Sequence, residues 1–107
     1  MHATDQLSLR FAETTAIGAA MDRLRSAPPE QLLDVPVAYE DLRPGADVVR
    51  LSGGGLRVLV RPSGTEPKLK AYLEVVLAPT VDVPRARVQA ADRLAGLRTE
   101  VSAVLAP

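Results

Sequence analysis

An octet in the middle of the chain carries side chains that suit the binding of a phosphate group. It reads Arg61-Pro62-Ser63-Gly64-Thr65-Glu66-Pro67-Lys68. The guanidinium of Arg61 can donate hydrogen bonds to two phosphate oxygens at once. The hydroxyls of Ser63 and Thr65 can donate hydrogen bonds to the other oxygens. Gly64 has no side chain, so backbone N–H groups beside it can approach an anion and form a nest. The residue types and their spacing therefore predict a cradle for a phosphate monoester.

Two apolar runs, residues 56–60 and 69–77, flank the octet and must position it. Both alternate as a strand with one buried face does, which makes the octet a loop between two strands. Arg61 ends the first strand, and Lys70 lies just inside the second, where it would supply a second positive charge. Two plainer interpretations stay open at this point. The octet could be an ordinary surface loop with a basic flank, and Lys70 could be a solvated lysine on an exposed sheet face.

The octet and the strand after it resemble a known family. The segment from Arg61 to Lys68, continued by Leu69-Lys70-Ala71-Tyr72-Leu73-Glu74, is similar to the C-terminal phosphate-binding segment of the alpha-D-phosphohexomutases. These enzymes include phosphoglucomutases, phosphomannomutases and phosphoglucosamine mutases. Looser similarity at residues 7–10, 28–29 and 41–45 extends the resemblance over most of the chain.

The resemblance implies a share in the mechanism of a longer enzyme. In the family, a phosphoserine gives its phosphate to a sugar monophosphate, and the last domain holds the phosphate that is not being transferred. Matched position by position, that role falls on Arg61, Ser63, Gly64 and Thr65. Lys70 stands where many members have a basic residue, and Lys68 is a flanking charge. The implied partners are a sugar phosphate and the remaining domains of the parent enzyme.

Three motifs of the complete family enzyme are missing from the 107 residues. They are the segment with the nucleophilic serine, the Asp-x-Asp-x-Asp-like magnesium loop and the Gly-Glu-x-Ser-Gly-like sugar loop. We therefore expect one excised domain with no catalytic residue, no metal site and no cofactor of its own, while the full-length enzyme uses Mg²⁺. The isolated chain is expected to show no mutase turnover. The sugar itself (glucose, mannose or glucosamine) is not specified, because the loop that selects it is absent.

Composition restricts the remaining classes of function. A chain of 107 residues with 47% hydrophobic residues fits a single globular domain over residues 1–107. Thirteen basic residues balance thirteen acidic ones, and aromatics make up 3%, which argues against nucleic-acid and membrane binding. Cysteine is absent, and the single histidine, His2, lies at what we expect to be a frayed start. No apolar run is long enough to span a membrane, so a cytoplasmic protein is expected.

Periodicity places the other elements. Residues 6–11, 35–40 and 48–51 alternate as strands do. Asp41 to Ala46 reads as a turn, and residues 52–55 with three glycines form a hairpin turn rather than a nucleotide loop.

A first helix begins near Glu13 and ends before Pro28-Pro29, with its buried stripe on Ala16, Ile17, Ala20, Met21 and Leu24. A second helix, capped by Asp82, is expected to bury Val88, Ala91, Leu94, Ala95, Val101, Val104 and Leu105. Gly96 inside it should cost about 1 kcal/mol relative to Ala.

The predicted fold class is α+β, an antiparallel sheet with two helices on one face. The resemblance implies the same class, described in the family as TATA-binding-protein-like. Strand order does not follow from the sequence.

Two alternative functions remain. One is a stand-alone anion-binding or regulatory module without catalysis. The other is a structural or nucleic-acid-binding sheet, and the balanced charge and the few aromatics argue against it.

Overall fold

The computed structural model describes residues 1–106 and confirms the α+β class. A five-stranded antiparallel sheet has the order β1-β7-β6-β5-β4, and a separate two-stranded sheet pairs β2 with β3. The bounds are β1 His2–Arg10, α1 Thr14–Ser26, β2 Gln31–Leu32, β3 Val35–Pro36, β4 Ala38–Asp41, β5 Val49–Gly53, β6 Leu56–Pro62, β7 Lys68–Val76 and α2 Val83–Leu105.

One face of the main sheet forms the core and the other is open. The inward residues of β6 and β7 alternate as predicted and are almost completely buried: Leu56, Val58, Val60, Leu69, Ala71, Leu73 and Val75. Buried side chains of both helices join the same apolar cluster, so the two helices cover one face of the sheet. The intervening positions, among them Arg57, Arg61 and Tyr72, face the other way. We call this second side the open face.

The first helix follows the prediction closely. Ile17, Ala20, Met21 and Leu24 are buried, and Ala16 packs against the cluster while partly exposed. The helix ends at Ser26, before the two prolines, which have no N–H to donate to it. The cap of α2 is also confirmed, since the Asp82 carboxylate accepts a hydrogen bond from the backbone N–H of Arg85.

The predicted buried stripe of α2 is largely wrong. The buried residues are Ala86, Ala90, Leu97, Val101 and Leu105, and only the last two were predicted. Of the other predicted residues, Leu94 is partly buried and packs against the core. Val88 is 60% exposed, and Val104 is also exposed. Apolar residues of α2 lie on several of its faces, so periodicity alone does not show which face is buried. The N-terminal half of the helix packs through its small alanines, Ala86 and Ala90. Gly96 has a packing reason, because a Cβ there would lie 3.1 Å from Cδ2 of Leu33.

Several further boundaries differ from the sequence prediction, and β5 extends to Gly53 rather than residue 51. The first strand begins at His2 rather than residue 6, and His2 pairs with Val76 instead of fraying, because the nine-residue β7 extends the ladder whatever the side-chain pattern. The strand predicted at residues 35–40 is split between β3 and β4, because β3 pairs with β2 whereas β4 pairs with β5. Asp41 belongs to β4 and not to a turn.

Candidate functional site

Arg61 and Lys70 face each other across the ladder between β6 and β7. The register pairs Arg61 with Lys70 and Pro62 with Leu69. Both cationic residues stand on the open face, where Arg61 is exposed and Lys70 is half-buried. The sequence predicted this juxtaposition from strand alternation alone, and the structure places the two residues directly opposite each other.

The basic residues of the main sheet fall into two groups. Three have carboxylate partners: Arg10 and Lys68 pair with Glu66, and Arg50 pairs with Glu40. The second group forms no ion pair within residues 1–106 and consists of Arg57, Arg61 and Lys70. All three of these lie on the open face, so the unneutralised positive charge of the sheet is concentrated there.

The turn that follows Arg61 is narrow and leaves several donors free. Its base is closed by a hydrogen bond of 2.9 Å from the N–H of Ser63 to the carbonyl of Lys68. Pro67 accepts from the N–H of Phe11 at 2.7 Å, which ties the turn to the end of β1. Within residues 1–106, the backbone N–H groups of Gly64, Thr65 and Glu66 make no hydrogen bond. Three successive donors are therefore available to an anion at the tip.

Gly64 lies in open space at this tip. A Cβ at this position would meet no heavy atom within 4 Å, and its φ is outside the left-handed region. The described part of the turn therefore contains no αR–αL pair of the kind that forms many anion nests. The free N–H groups belong to an exposed bend instead.

Glu66 neutralises the cations on the far side of the turn. Its carboxylate lies 3.1 Å from Nζ of Lys68 and 3.3 Å from Nη2 of Arg10. The hydrogen bond and charge of Lys68, with a smaller contribution from Arg10, hold the pKa of the Glu66 carboxyl below its usual range. Lys68 is thus a paired flanking charge, which distinguishes it from Lys70.

A depression of about 330 Å³ separates the turn from the first half of α1. Ser63, Gly64 and Thr65 line it, together with the carboxylate residues Asp47 and Glu66. Asp47 is held 2.6 Å from Nη2 of the nearly buried Arg25. Neither Arg61 nor Lys70 borders this depression. Its carboxylates make it unsuitable for a phosphate, and the cations Arg61 and Lys70 lie on the open face instead.

The structure adds one residue that is not among the site residues predicted from the sequence. Tyr72 lies on the open face, and its ring centroid is 5.8 Å from Cζ of Arg61. The Arg61 guanidinium donates to the Tyr72 hydroxyl through Nη2 at a long 3.5 Å. The signal was available, because Tyr72 follows Lys70 by two residues in an alternating strand and so must share its face.

Two structural observations bear on metals and membranes. Within residues 1–106, no group of three or more His, Cys, Asp or Glu side chains is placed to hold a metal ion. No helix in that range is long and apolar enough to cross a bilayer.

Comparison with known proteins identifies the family. Residues 10–91 match the family model described as phosphoglucomutase/phosphomannomutase, C-terminal domain. A protein of Haemophilus influenzae named as a probable phosphomannomutase is 38% identical over 79 residues, which cover 68% of this chain and 16% of that protein. The chain therefore belongs to the phosphoglucomutase/phosphomannomutase C-terminal domain family. It spans about a sixth of the length of the relative it matches.

Proposed function

We propose that this chain binds the non-reacting phosphate of a sugar phosphate within a phosphoglucomutase or phosphomannomutase. Arg61 and Lys70 supply the positive charge, Ser63 and Thr65 supply hydroxyl donors, and the backbone around Gly64 supplies N–H groups. The reaction assigned to the complete enzyme is the intramolecular transfer of a phosphoryl group between two positions of the sugar. The share of this domain is binding and orientation.

The observation that carries the proposal is the facing pair of Arg61 and Lys70. Like charges directly opposite each other on neighbouring strands destabilise a sheet. Neither residue has a carboxylate partner within residues 1–106, although the adjacent Lys68 does. A phosphate between the two cations would replace one repulsion with two attractions. The free N–H groups of residues 64–66 lie at the end of the same hairpin, where they can share that anion.

Binding a phosphate that does not react serves the chemistry at a distance. Contacts with a remote group of the substrate can be used to align the reacting centre, and alignment lowers the barrier to transfer. Arg61 suits this role because its planar guanidinium fixes the orientation of the phosphate as well as its position. Lys70 adds attraction without a directional requirement.

The catalytic parts belong to other segments of the proposed parent enzyme. By the family resemblance, those segments hold the nucleophilic serine and the bound Mg²⁺. The remaining domains of the parent enzyme are the expected structural partners of this domain. We accordingly propose that the 107-residue chain alone turns over no sugar phosphate.

The test is Arg61→Ala in the complete enzyme. Removing a charge-assisted, hydrogen-bonded contact should cost about 2–3 kcal/mol of transition-state binding. That loss corresponds to roughly 30- to 150-fold in kcat/KM. Arg61→Lys should recover only part of the activity, because an ammonium cannot make the two-pronged contact.

Arg57→Ala provides the matched control. Arg57 lies on the same strand and the same face and is also without an ion pair within residues 1–106, but it is four residues from Arg61, about 13 Å along a strand. We expect this variant to stay within about twofold of wild type, since a screened charge at that distance contributes little. Wild-type efficiency in Arg61→Ala, or equal losses in the two variants, would contradict the proposal.

A further inference from the structure

The guanidinium of Arg61 contacts the side chain of Tyr72. Tyr72 lies opposite Leu59 in the ladder, so it is the diagonal neighbour of Arg61 on the open face. The guanidinium is over the ring, with Cζ 5.8 Å from the centroid, and Nη2 donates to the hydroxyl at 3.5 Å. Within residues 1–106, Arg61 makes no other side-chain hydrogen bond and no ion pair.

The contact with Tyr72 counteracts two effects that favour other conformations of the Arg61 side chain. Lys70 is directly opposite and repels the guanidinium. The exposed side chain of Arg61 also has many rotamers in solvent, and binding an anion requires that one of them be selected. A ring face attracts a cation through its quadrupole within about 6 Å, so Tyr72 retains the guanidinium over the sheet despite the nearby like charge.

We propose that Tyr72 is a positioning residue for Arg61. It holds the guanidinium on the open face, next to Lys70, before an anion arrives, and so reduces the ordering that binding must supply. This inference rests on the proposed phosphate-binding function of the hairpin. Tyr72 acts through Arg61 and not through the anion, so its effect must vanish when Arg61 is removed.

The ring should matter more than the hydroxyl. A separation of 3.5 Å is at the outer limit for a hydrogen bond, whereas 5.8 Å is within the range of a cation–ring contact. Tyr72→Phe should therefore keep most of the effect, and Tyr72→Leu should lose it. From the usual strength of an exposed cation–ring contact, we expect Tyr72→Leu to weaken anion affinity roughly two- to fivefold.

The first measurement needs no ligand. Nitrogen-15 relaxation of the Arg61 Nε–H group in the 107-residue chain reports how tightly its side chain is held. We expect greater mobility in Tyr72→Leu than in wild type and an intermediate or unchanged value in Tyr72→Phe. Tyr39→Leu is the matched control, because Tyr39 is an exposed tyrosine on β4, paired with Leu51 and outside this hairpin. Equal mobility of Arg61 in wild type and Tyr72→Leu overturns the proposal.

The second measurement is a double-variant cycle with inorganic phosphate, followed by the amide shifts of residues 63–66. Tyr72→Leu should weaken binding in the wild-type background and have no effect in the Arg61→Ala background. An equal loss in both backgrounds overturns the proposal, since Tyr72 would then act on the anion or on the fold. If wild type itself binds no phosphate, the proposed function of the hairpin fails, and the relaxation measurement still decides whether Tyr72 positions Arg61.

Discussion

The two turns of β6 lie at opposite ends of that strand and contain glycines of opposite kinds. Gly54 and Gly55, between β5 and β6, both have positive φ, at 55° and 80°. A Cβ on Gly54 would collide with the side chain of Val35, and one on Gly55 would lie 2.5 Å from the carbonyl oxygen of Val76. Gly64, in the turn between β6 and β7, does not have a left-handed backbone, and a Cβ added there would meet no heavy atom within 4 Å.

The difference separates a glycine that the fold requires from one that it does not. At positions 54 and 55, backbone conformation and close packing both exclude a side chain. At position 64 neither does, so the fold gives no reason for the absence of a Cβ. What the absence does provide is an approach to the free N–H groups of residues 64–66. The first turn is thus explained by structure, whereas a reason for the second comes only from the proposed binding of a phosphate.

The largest expected effect in this comparison is that of Gly55→Ala on stability. The added methyl group meets a carbonyl oxygen of the backbone, which cannot move without disturbing β7, and the positive φ adds strain. We expect the free energy of unfolding to fall by about 3 kcal/mol. Urea denaturation of wild type and variant at pH 7 measures the change.

Gly18→Ala is the control for this prediction. Gly18 lies inside α1, and a Cβ there would have no heavy atom within 4 Å. Ala is favoured over Gly in a helix, so the same substitution should stabilise the chain by about 0.5–1 kcal/mol. A Gly55→Ala protein as stable as wild type would remove the distinction between the two turns.

The second prediction concerns Gly64→Ala and sharpens the same distinction. Its free energy of unfolding should stay within about 0.5 kcal/mol of wild type, as is usual for an exposed position. Its affinity for inorganic phosphate should fall severalfold, because the methyl group would obstruct the approach to the N–H groups beside it. Titration of the 107-residue chain, followed by the amide shifts of residues 63–66, tests this. Unchanged affinity together with unchanged stability would mean that Gly64 has neither role.

The smallest effect is expected from Asp41, at the end of β4 and at the same end of the sheet as the turn of residues 63–67. Hydrogen bonds from Arg43, helped by the charge of Arg25, lower the pKa of Asp41 from 3.8 to about 2. A carboxyl with a lowered pKa in the folded state stabilises the fold above its unfolded pKa and loses that contribution as the pH falls. The loss should therefore occur between about pH 4 and pH 2.

Asp41→Asn tests this account by thermal unfolding. The variant should have a lower Tm than wild type at neutral pH, and the two should converge as the pH falls toward 2. Phosphate affinity at pH 7 should be unchanged, because Asp41 pairs with Arg25 of α1 and with Arg43 after β4, and not with the turn of residues 63–67. A persistent difference in Tm at the lowest pH would show that the charge of Asp41 is not what stabilises the fold.

The hairpin of β6 and β7 could be predicted from sequence because its determinants are local. Strand alternation fixed the faces, and the register then put Arg61 opposite Lys70. The roles of Ser63, Gly64, Thr65 and Lys70 in binding remain predictions. Strand alternation also puts Tyr72 on the face of Lys70, but it does not connect Tyr72 with Arg61, since a diagonal contact depends on side-chain conformation and not on the pattern of the strand.

Other features depended on tertiary contacts and could not be predicted. The buried side of α2 is set by the close approach of Leu33 to Gly96 and by the packing of Ala86 and Ala90. The pairing of Gln31–Leu32 with Val35–Pro36 uses left-handed conformations at Leu33 and Asp34. Leu rarely adopts this conformation, although Asp does so more readily. The Glu100 carboxylate on α2 accepts a hydrogen bond of 3.0 Å from the N–H of Leu33, and no local sequence pattern predicts that contact.

The position of β1 beside β7 has a consequence for the order of folding. Strands β5, β6 and β7 are joined by two short turns, so their pairing closes only small loops. Pairing β1 with β7 must instead close about sixty residues or more of intervening chain, which has a larger entropic cost. We therefore expect a transition state in which the three-stranded meander is already formed while β1 is still unattached. Substitutions at Leu7 would then change mainly the unfolding rate, and those at Val58 the folding rate.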